Sequence, residues 1–298
     1  MPRAMKIKMS RSDRIFTNVN YLFLTVVLVV IFYPLIIVVS SSFSEPQAVI
    51  SGKVWLFPVG LNFKGYQAVF RYQKIIMGFV NTIIYTVGGT LFGVSMTLLA
   101  AYPLSRRDLY GKGILTFIFT FTMLFSGGLI PSYLLNKALG LVDNRMMLVI
   151  AGSMSVYNII ITRTFFRSTL SEEILEATQI DGCDDFNFFL RFVIPLSSTI
   201  IAVLVLFIAV GHWNSYQTAI IYIRTESKLP LQIILRNILI LSQTAALSGD
   251  VSLELAFSGM QDLIKYALIV VASAPILALY PFVQKYFVKG VMIGSLKG

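Results

Sequence analysis

From Tyr21 to Phe43 the chain runs without a charged side chain, which is long enough to cross a bilayer as one helix. Five further apolar runs follow, at about Ile75–Leu104, Ile114–Leu135, Met146–Phe166, Pro195–Trp213 and Leu263–Val283. A soluble domain carries about 25% charged residues. Here 13% of the 298 residues are charged, 56% are hydrophobic, and the mean hydropathy is +0.79. A single core does not grow large enough at this length to absorb that excess. The reading is an all-α, polytopic membrane protein with six transmembrane helices.

Details within the runs carry further expectations. Pro34 lies inside the first run and predicts a kink. Gly88, Gly89 and Gly93 give the second run a small-residue face suited to close helix packing. Ser126-Gly127-Gly128 and Pro131 interrupt the third, a break that only protein or a cavity can satisfy. The first run is too long for a signal-peptide core and no A-x-A site follows it, so it is expected to be retained.

The basic residues set an orientation. Residues 1–19, the loop Ser105–Gly113, the stretch 163–195 and the last residues together hold fourteen of the 24 Lys and Arg. Short basic segments beside spans stay in the cytoplasm, so both termini are expected inside. The net charge of +10 then reflects topology and anionic lipid headgroups rather than nucleic acid. The segments are a cytoplasmic tail 1–19, a first span with its extracytoplasmic loop 20–74, a main transmembrane domain 75–284 and a cytoplasmic tail 285–298. Residues 214–261 form a long outer region with a helical piece near Leu231–Leu241.

Ser171 to Pro195 is the one long charged segment between apolar runs, with six of the fourteen acids. Ser171 suits a helix N-cap, and Glu172 and Glu173 suit the first turn. Gly182 permits a turn, Asp184 or Asp185 can cap a second helix, and Pro195 can open the next element. The pattern is helix, break, helix, then return into the membrane. It reads either as a solvated connection or as a handle offered to a partner.

Several chemistries are excluded. There is no G-x-x-x-x-G-K-[ST] loop, so the chain cannot hydrolyse ATP alone. The lone histidine, His212, rules out a multi-histidine metal site and the lone cysteine, Cys183, an internal disulfide, and the sequence shows no G-x-S-x-G and no Cys/His pairing for covalent catalysis. His212 is expected at the outer interface beside Trp213 in a structural role. The spans hold essentially no Asp, Glu, Lys or Arg, which argues against ion-coupled transport. Energy would have to come from a partner.

Glu176-Ala177-Thr178, Asp181-Gly182, Arg191 and Pro195 resemble the EAA motif of ABC importer permeases. Asn81-Thr82, Ala101–Arg106, Trp213-Asn214 and the tail Tyr286–Gly298 are similar to the sugar-type branch, close to the maltose-type second permease subunit. The string Ser126–Tyr133 resembles permeases for complex oligosaccharides. The resemblance covers nearly the whole chain in order. It implies a type I importer transmembrane domain and an oligosaccharide substrate. It implies a second homologous permease, an ATPase dimer that carries ATP and Mg, and an extracytoplasmic solute-binding protein, with no cofactor on this chain. Coupling to the ATPase would pass through Glu173, Glu176, Ala177, Asp181, Gly182, Arg191 and Pro195. Thr178 and Cys183 depart from the Ala usual there, and Phe192 stands where a β-branched residue is common. The tail residues Gly290, Gly294, Lys297 and Gly298 would touch the ATPase. Tyr133, Tyr157, Asn158, Trp213, Asn214 and Tyr216 would line the solute path, although aromatics at helix ends also serve as interface anchors. A permease for another solute, a self-sufficient carrier and a non-transporting scaffold are the rival readings.

Overall fold

The computed structural model describes residues 10–248, 264–281 and 284, and among these there is no strand. Among the described residues three continuous helices are long and apolar enough to span a membrane: α1 (Arg11–Ser42), α4 (Gln73–Ser105) and α14 (Ile264–Pro281). Two more candidates are bent pairs. The helices α5 (Lys112–Leu124) and α6 (Leu129–Ala138) meet at 113°, and α10 (Asp185–Leu196) and α11 (Ser198–Trp213) meet at 80°. The remaining helices are α2 (Pro46–Ile50), α3 (Lys64–Arg71), α7 (Arg145–Ile150), α8 (Val156–Thr169), α9 (Glu172–Ile180), α12 (Tyr216–Tyr222) and α13 (Leu231–Ser248).

The expected break at Ser126–Gly128 is the α5–α6 bend, with Gly128 at φ 81°. The run 146–166 is not one helix: α7 ends at Ile150 and α8 starts at Val156, with Gly152 at φ 76° between them. Apolar composition alone does not reveal such a gap. α1 stays one helix through Pro34. Its start is a capping box in which Ser10 and Asp13 exchange bonds at 3.1 Å.

Two compact units divide the chain, residues 1–71 with 238–270 and residues 72–237 with 271–298. In the first, the serine-rich end of α1 closes the following loop. Ser40 Oγ donates to the Leu56 carbonyl at 2.7 Å, and the Val59 amide donates to Ser44 Oγ at 3.0 Å. Ser42 Oγ bonds the Tyr66 hydroxyl at 2.8 Å, and Phe43 stacks on Tyr66 with ring centres 4.9 Å apart. These hydroxyls satisfy an irregular backbone that would otherwise be costly to bury.

In the second unit α4 is the spine. A Cβ on Gly89 would collide with the His212 ring, and one on Gly93 with the Ser153 carbonyl. A Cβ on Gly78 would collide with the Ile234 side chain. Gly88 is different, since its Cβ would sit 3.5 Å from Val149 in ordinary contact. The small-residue face is therefore real but rotated to Gly78, Gly89 and Gly93. His212 does not lie at an interface. It is buried, with Nε2 3.0 Å from Ser153 Oγ, in the space that Gly89 leaves.

The first half of α4 also holds the segment 222–231. Asn81 Nδ2 donates to the carbonyls of Ser227 and Leu229 at 2.9 and 3.1 Å. Tyr85 donates to the Lys228 carbonyl, and the Leu231 amide donates to Thr82. Asp143, a non-glycine residue at φ 57°, ties the same segment from the other side. Its Oδ1 accepts from the amides of Arg224 and Thr225 at 3.1 and 2.9 Å, and its Oδ2 from Thr225 Oγ1 and Lys228 Nζ at 2.6 and 3.1 Å. These donors, Thr225 foremost, hold its carboxyl well below the usual carboxylate range.

Because that carboxyl is depressed, its contribution is present above the unfolded value near 4 and is lost only as pH falls below it. Asp143→Asn keeps the left-handed turn but loses the charge, and is expected to lower the Tm at pH 7 and to remove the acid-limb loss between pH 4 and 2. Gly93→Val should destabilise the detergent-solubilised chain by about 1–3 kcal/mol through overpacking against Ser153, while Gly88→Ala should leave the Tm unchanged.

Candidate functional site: the charged hairpin

The stretch from Ser171 folds as two short helices. α9 begins after Ser171, which holds the N-cap position but makes no side-chain capping bond, so Glu172 and Glu173 alone supply the favourable charge there. α9 ends with Asp181 at its C-cap and Gly182 at φ 75°, the left-handed conformation expected of that glycine. Asp184, rather than Asp185, caps α10: Oδ1 accepts from the Asn187 amide at 2.6 Å and Oδ2 from Asn187 Nδ2 at 3.0 Å.

Pro195 stands in the first turn of the α-helical piece Ile194–Leu196 that closes α10, the position its residue type suits. The turn before it, Phe189–Val193, is widened to π geometry. Proline has no amide to donate and its ring crowds the carbonyl four residues back, so a wider turn accommodates it. The chain then bends at Ser197 into α11.

The hairpin is firmly mounted. Phe188, Phe189 and Val193 are buried in a core with Leu98, Ala101 and Leu104 of α4 and Phe166 of α8, and Leu175 and Cys183 pack against it. Tyr102 meets Phe189 at 5.2 Å, and Phe188 stacks on Phe192 at 5.4 Å. Thr178 is buried and bonds the Leu175 carbonyl at 2.8 Å. The two departures from Ala, Thr178 and Cys183, thus face inward, where small size matters and a hydroxyl finds its own backbone. Phe192 contributes a ring to the stack, which explains an aromatic there.

Charge completes the mount. Arg106 Nη1 pairs with Asp185 at 3.1 Å and Nη2 with Asp108 at 2.6 Å, and Nη1 also donates to the Tyr102 hydroxyl at 3.3 Å. Arg107 pairs with Glu172 at 2.6 Å. One arginine grips each helix of the hairpin. The Arg106 side chain is only 13% exposed. It holds the Asp108 carboxyl below its usual range through a direct hydrogen bond. An open cleft of about 880 Å³ lies between loop and hairpin, rimmed by Arg106, Arg107, Arg167, Glu172 and Glu176 over Phe166 and Phe188.

What the hairpin leaves exposed is equally specific. Glu173, Glu176, Ala177, Asp181 and Arg191 face solvent, and among the described residues none of the charged four is ion-paired. Beside them stand Ile180, 86% exposed, and Phe186, 66% exposed. Sequence reasoning passed over these two. A large apolar residue beside the turn glycine and another just past the second cap were the available signal.

The expected solute-path residues differ in burial and in the partners they hold. Tyr133 stacks on Tyr222 with centres 5.8 Å apart and accepts a bond from Arg224 at 3.2 Å. Trp213 is buried, with its Nε1 donating to the Ala272 carbonyl at 2.9 Å and its ring edge-on to Phe79. Asn158 is buried too. Tyr157 and Tyr216 are exposed, and Asn214 closes the end of α11 through the Val210 carbonyl. No side-chain hydrogen bond or ring contact joins any two of the six among the described residues. Gly290, Gly294, Lys297 and Gly298 lie outside the described residues. Among those described, no group of His, Cys, Asp and Glu is placed to hold a metal.

No family model matches the chain. It is 39% identical over 288 residues to the polygalacturonan/rhamnogalacturonan transport system permease protein YtcP of Bacillus subtilis (strain 168), covering 96% of this chain and 99% of that protein. It is 38% identical over 289 residues to protein LplC of the same organism, covering 97% of each. Among solved structures it is similar to a chain of a bacterial ABC transporter involved in the import of the acidic polysaccharide alginate. The TM-score is 0.86 and the identity 34%, over 95% of this chain and 100% of that one.

The mount can be tested by itself. Arg106→Ala removes charge-assisted bonds from a side chain that is 13% exposed to carboxylates that are 66% and 67% exposed, and should cost about 1 kcal/mol, read as a lowered Tm and faster proteolysis within 172–188. Arg107→Ala breaks an exposed pair and should cost less than about 1 kcal/mol in the same assays.

Proposed function

The chain belongs to the permease subunits of carbohydrate ABC importers, and from that premise we propose that it forms half of a heterodimeric pore for an oligosaccharide, driven through its hairpin. It is a membrane transport subunit, not an enzyme. In this reading it crosses the membrane six times with both termini in the cytoplasm. The broken segment α7–α8 supplies the sixth crossing beside the three continuous helices and the two bent pairs. The segments are those read from the sequence, 1–19, 20–74, 75–284 and 285–298. A second permease, an ATPase dimer that binds ATP and Mg, and an extracytoplasmic solute-binding protein complete the assembly.

The observation that carries the coupling proposal is the contrast between the two sides of the hairpin. Its inner side is committed to the core and to Arg106 and Arg107. Away from that mount Ile180 and Phe186 are exposed, and Glu173, Glu176, Asp181 and Arg191 are exposed and in no ion pair among the described residues. Burying an isoleucine or a phenylalanine stabilises an interface by about 1.5–3 kcal/mol each, and the surrounding charges set register and orientation. Ala177 and Gly182 keep the surface low enough for close approach. A rigid handle transmits displacement, because a ligand shifts a conformational equilibrium only through differential contacts with its two states.

The solute path is proposed to pass Tyr133, Tyr157, Asn214 and Tyr216, with Trp213 and Asn158 as packed supports. The glycan polymers named for YtcP and for the alginate transporter support an oligosaccharide as the solute. The tail residues Gly290, Gly294, Lys297 and Gly298 are proposed as a further ATPase contact on resemblance alone.

The test is reconstitution of this chain with its partner permease, ATPase and binding protein in proteoliposomes. Glu176→Lys and Ile180→Asp should each reduce ATP-driven oligosaccharide uptake at least tenfold while the chain still inserts and folds. Uptake at the wild-type rate in both variants would contradict coupling through this surface, and solute flux by the chain alone would contradict the importer reading.

A further inference from the structure

The corner around Arg224 carries a chemistry that the hairpin does not explain. Asp143 fixes the main chain here, accepting from the amides of Arg224 and Thr225, and its other oxygen is taken by Thr225 and Lys228. That carboxylate compensates Lys228, not the guanidinium of Arg224. The exposed Arg224 side chain makes one hydrogen bond, from Nη2 to the Tyr133 hydroxyl at 3.2 Å, and no carboxylate reaches it among the described residues. The rest of its five-donor fork is unused.

Tyr133 is itself stiffened. Its ring stacks on that of Tyr222 at an interplanar angle of 23°, and the Tyr222 hydroxyl accepts from Asn136 Nδ2 at 3.1 Å. Lys137 stands one helical turn beyond Tyr133 on the same face of α6, exposed and in no ion pair among the described residues. The result is a backed aromatic ring with a free guanidinium at its hydroxyl edge and an ammonium one turn away.

We propose that Tyr133, Arg224 and Lys137 form a subsite for a uronate unit of an acidic oligosaccharide. The apolar C–H face of the pyranose lies on Tyr133, and its carboxylate takes the open fork of Arg224, with Lys137 adding long-range attraction. Asp143 is a positioning residue that holds Arg224 in place through the backbone. The proposal rests on the importer reading and on this corner facing the extracytoplasmic side.

The experiment measures ATP-driven uptake of labelled trigalacturonate and of neutral maltotriose by the complete reconstituted transporter. Trigalacturonate should be taken up, and its half-saturating concentration should rise with ionic strength. Arg224→Ala should raise it about tenfold to hundredfold, as expected for losing a charge-assisted pair. Arg224→Lys, which keeps the charge but not the fork, should fall between. Because the side chain makes a single exposed bond, both variants should unfold at the wild-type temperature. Trigalacturonate uptake indifferent to both substitutions overturns the subsite, and so does uptake of maltotriose with none of trigalacturonate; either result leaves the importer reading standing. Absence of ATP-driven uptake of any saccharide overturns both.

Discussion

The close approach that α4 permits is the contact on which the larger unit depends. Gly89 receives the ring of His212, Gly93 receives the carbonyl of Ser153, and Gly78 receives the start of α13. Helices in hydrocarbon gain little from the hydrophobic effect between themselves, so close packing and interhelical hydrogen bonds must hold them. The gap between α7 and α8 is tolerable for the same reason. Ser153 lies in it, buried, and its hydroxyl bonds both the Val149 carbonyl and His212.

The same helix joins the hairpin to the segment 222–231. At about 1.5 Å per residue, α4 spans roughly 50 Å. Near its start, Asn81, Thr82 and Tyr85 hold the segment 222–231. Past its end, Arg106 and Arg107 hold the two helices of the hairpin. A displacement imposed on a handle mounted this way is passed to a packed helix rather than absorbed in a loop. That is the physical content of the proposed coupling, in which the proposed ATPase contact and the proposed solute corner lie at opposite ends of one element.

Local grammar was legible where a residue type has one conformational use. Gly182 lies in the left-handed turn, an acid caps α10, and Ser126–Gly128 breaks the third apolar run. The helix near Leu231 exists and runs to Ser248. Tertiary compensation was not legible. Nothing in the string predicts that Asp143 will bind residues eighty positions away, that Arg106 will bridge to Asp185, or that the turn before Pro195 will be widened. Trp213 and Asn158, expected along a solute path, are buried, and the Trp213 indole donates to the Ala272 carbonyl, which the string does not reveal. Ile180 and Phe186 escaped notice because exposure, not identity, makes them informative.

The most direct measurement is amide hydrogen exchange across Glu172–Phe188 in the solubilised permease pair, compared with the same pair bound to its ATPase. Docking through the exposed face of the hairpin should slow exchange in this stretch on ATPase binding, with Arg224 and its neighbours unchanged. Exchange in Glu172–Phe188 that is the same with and without the ATPase would contradict the account.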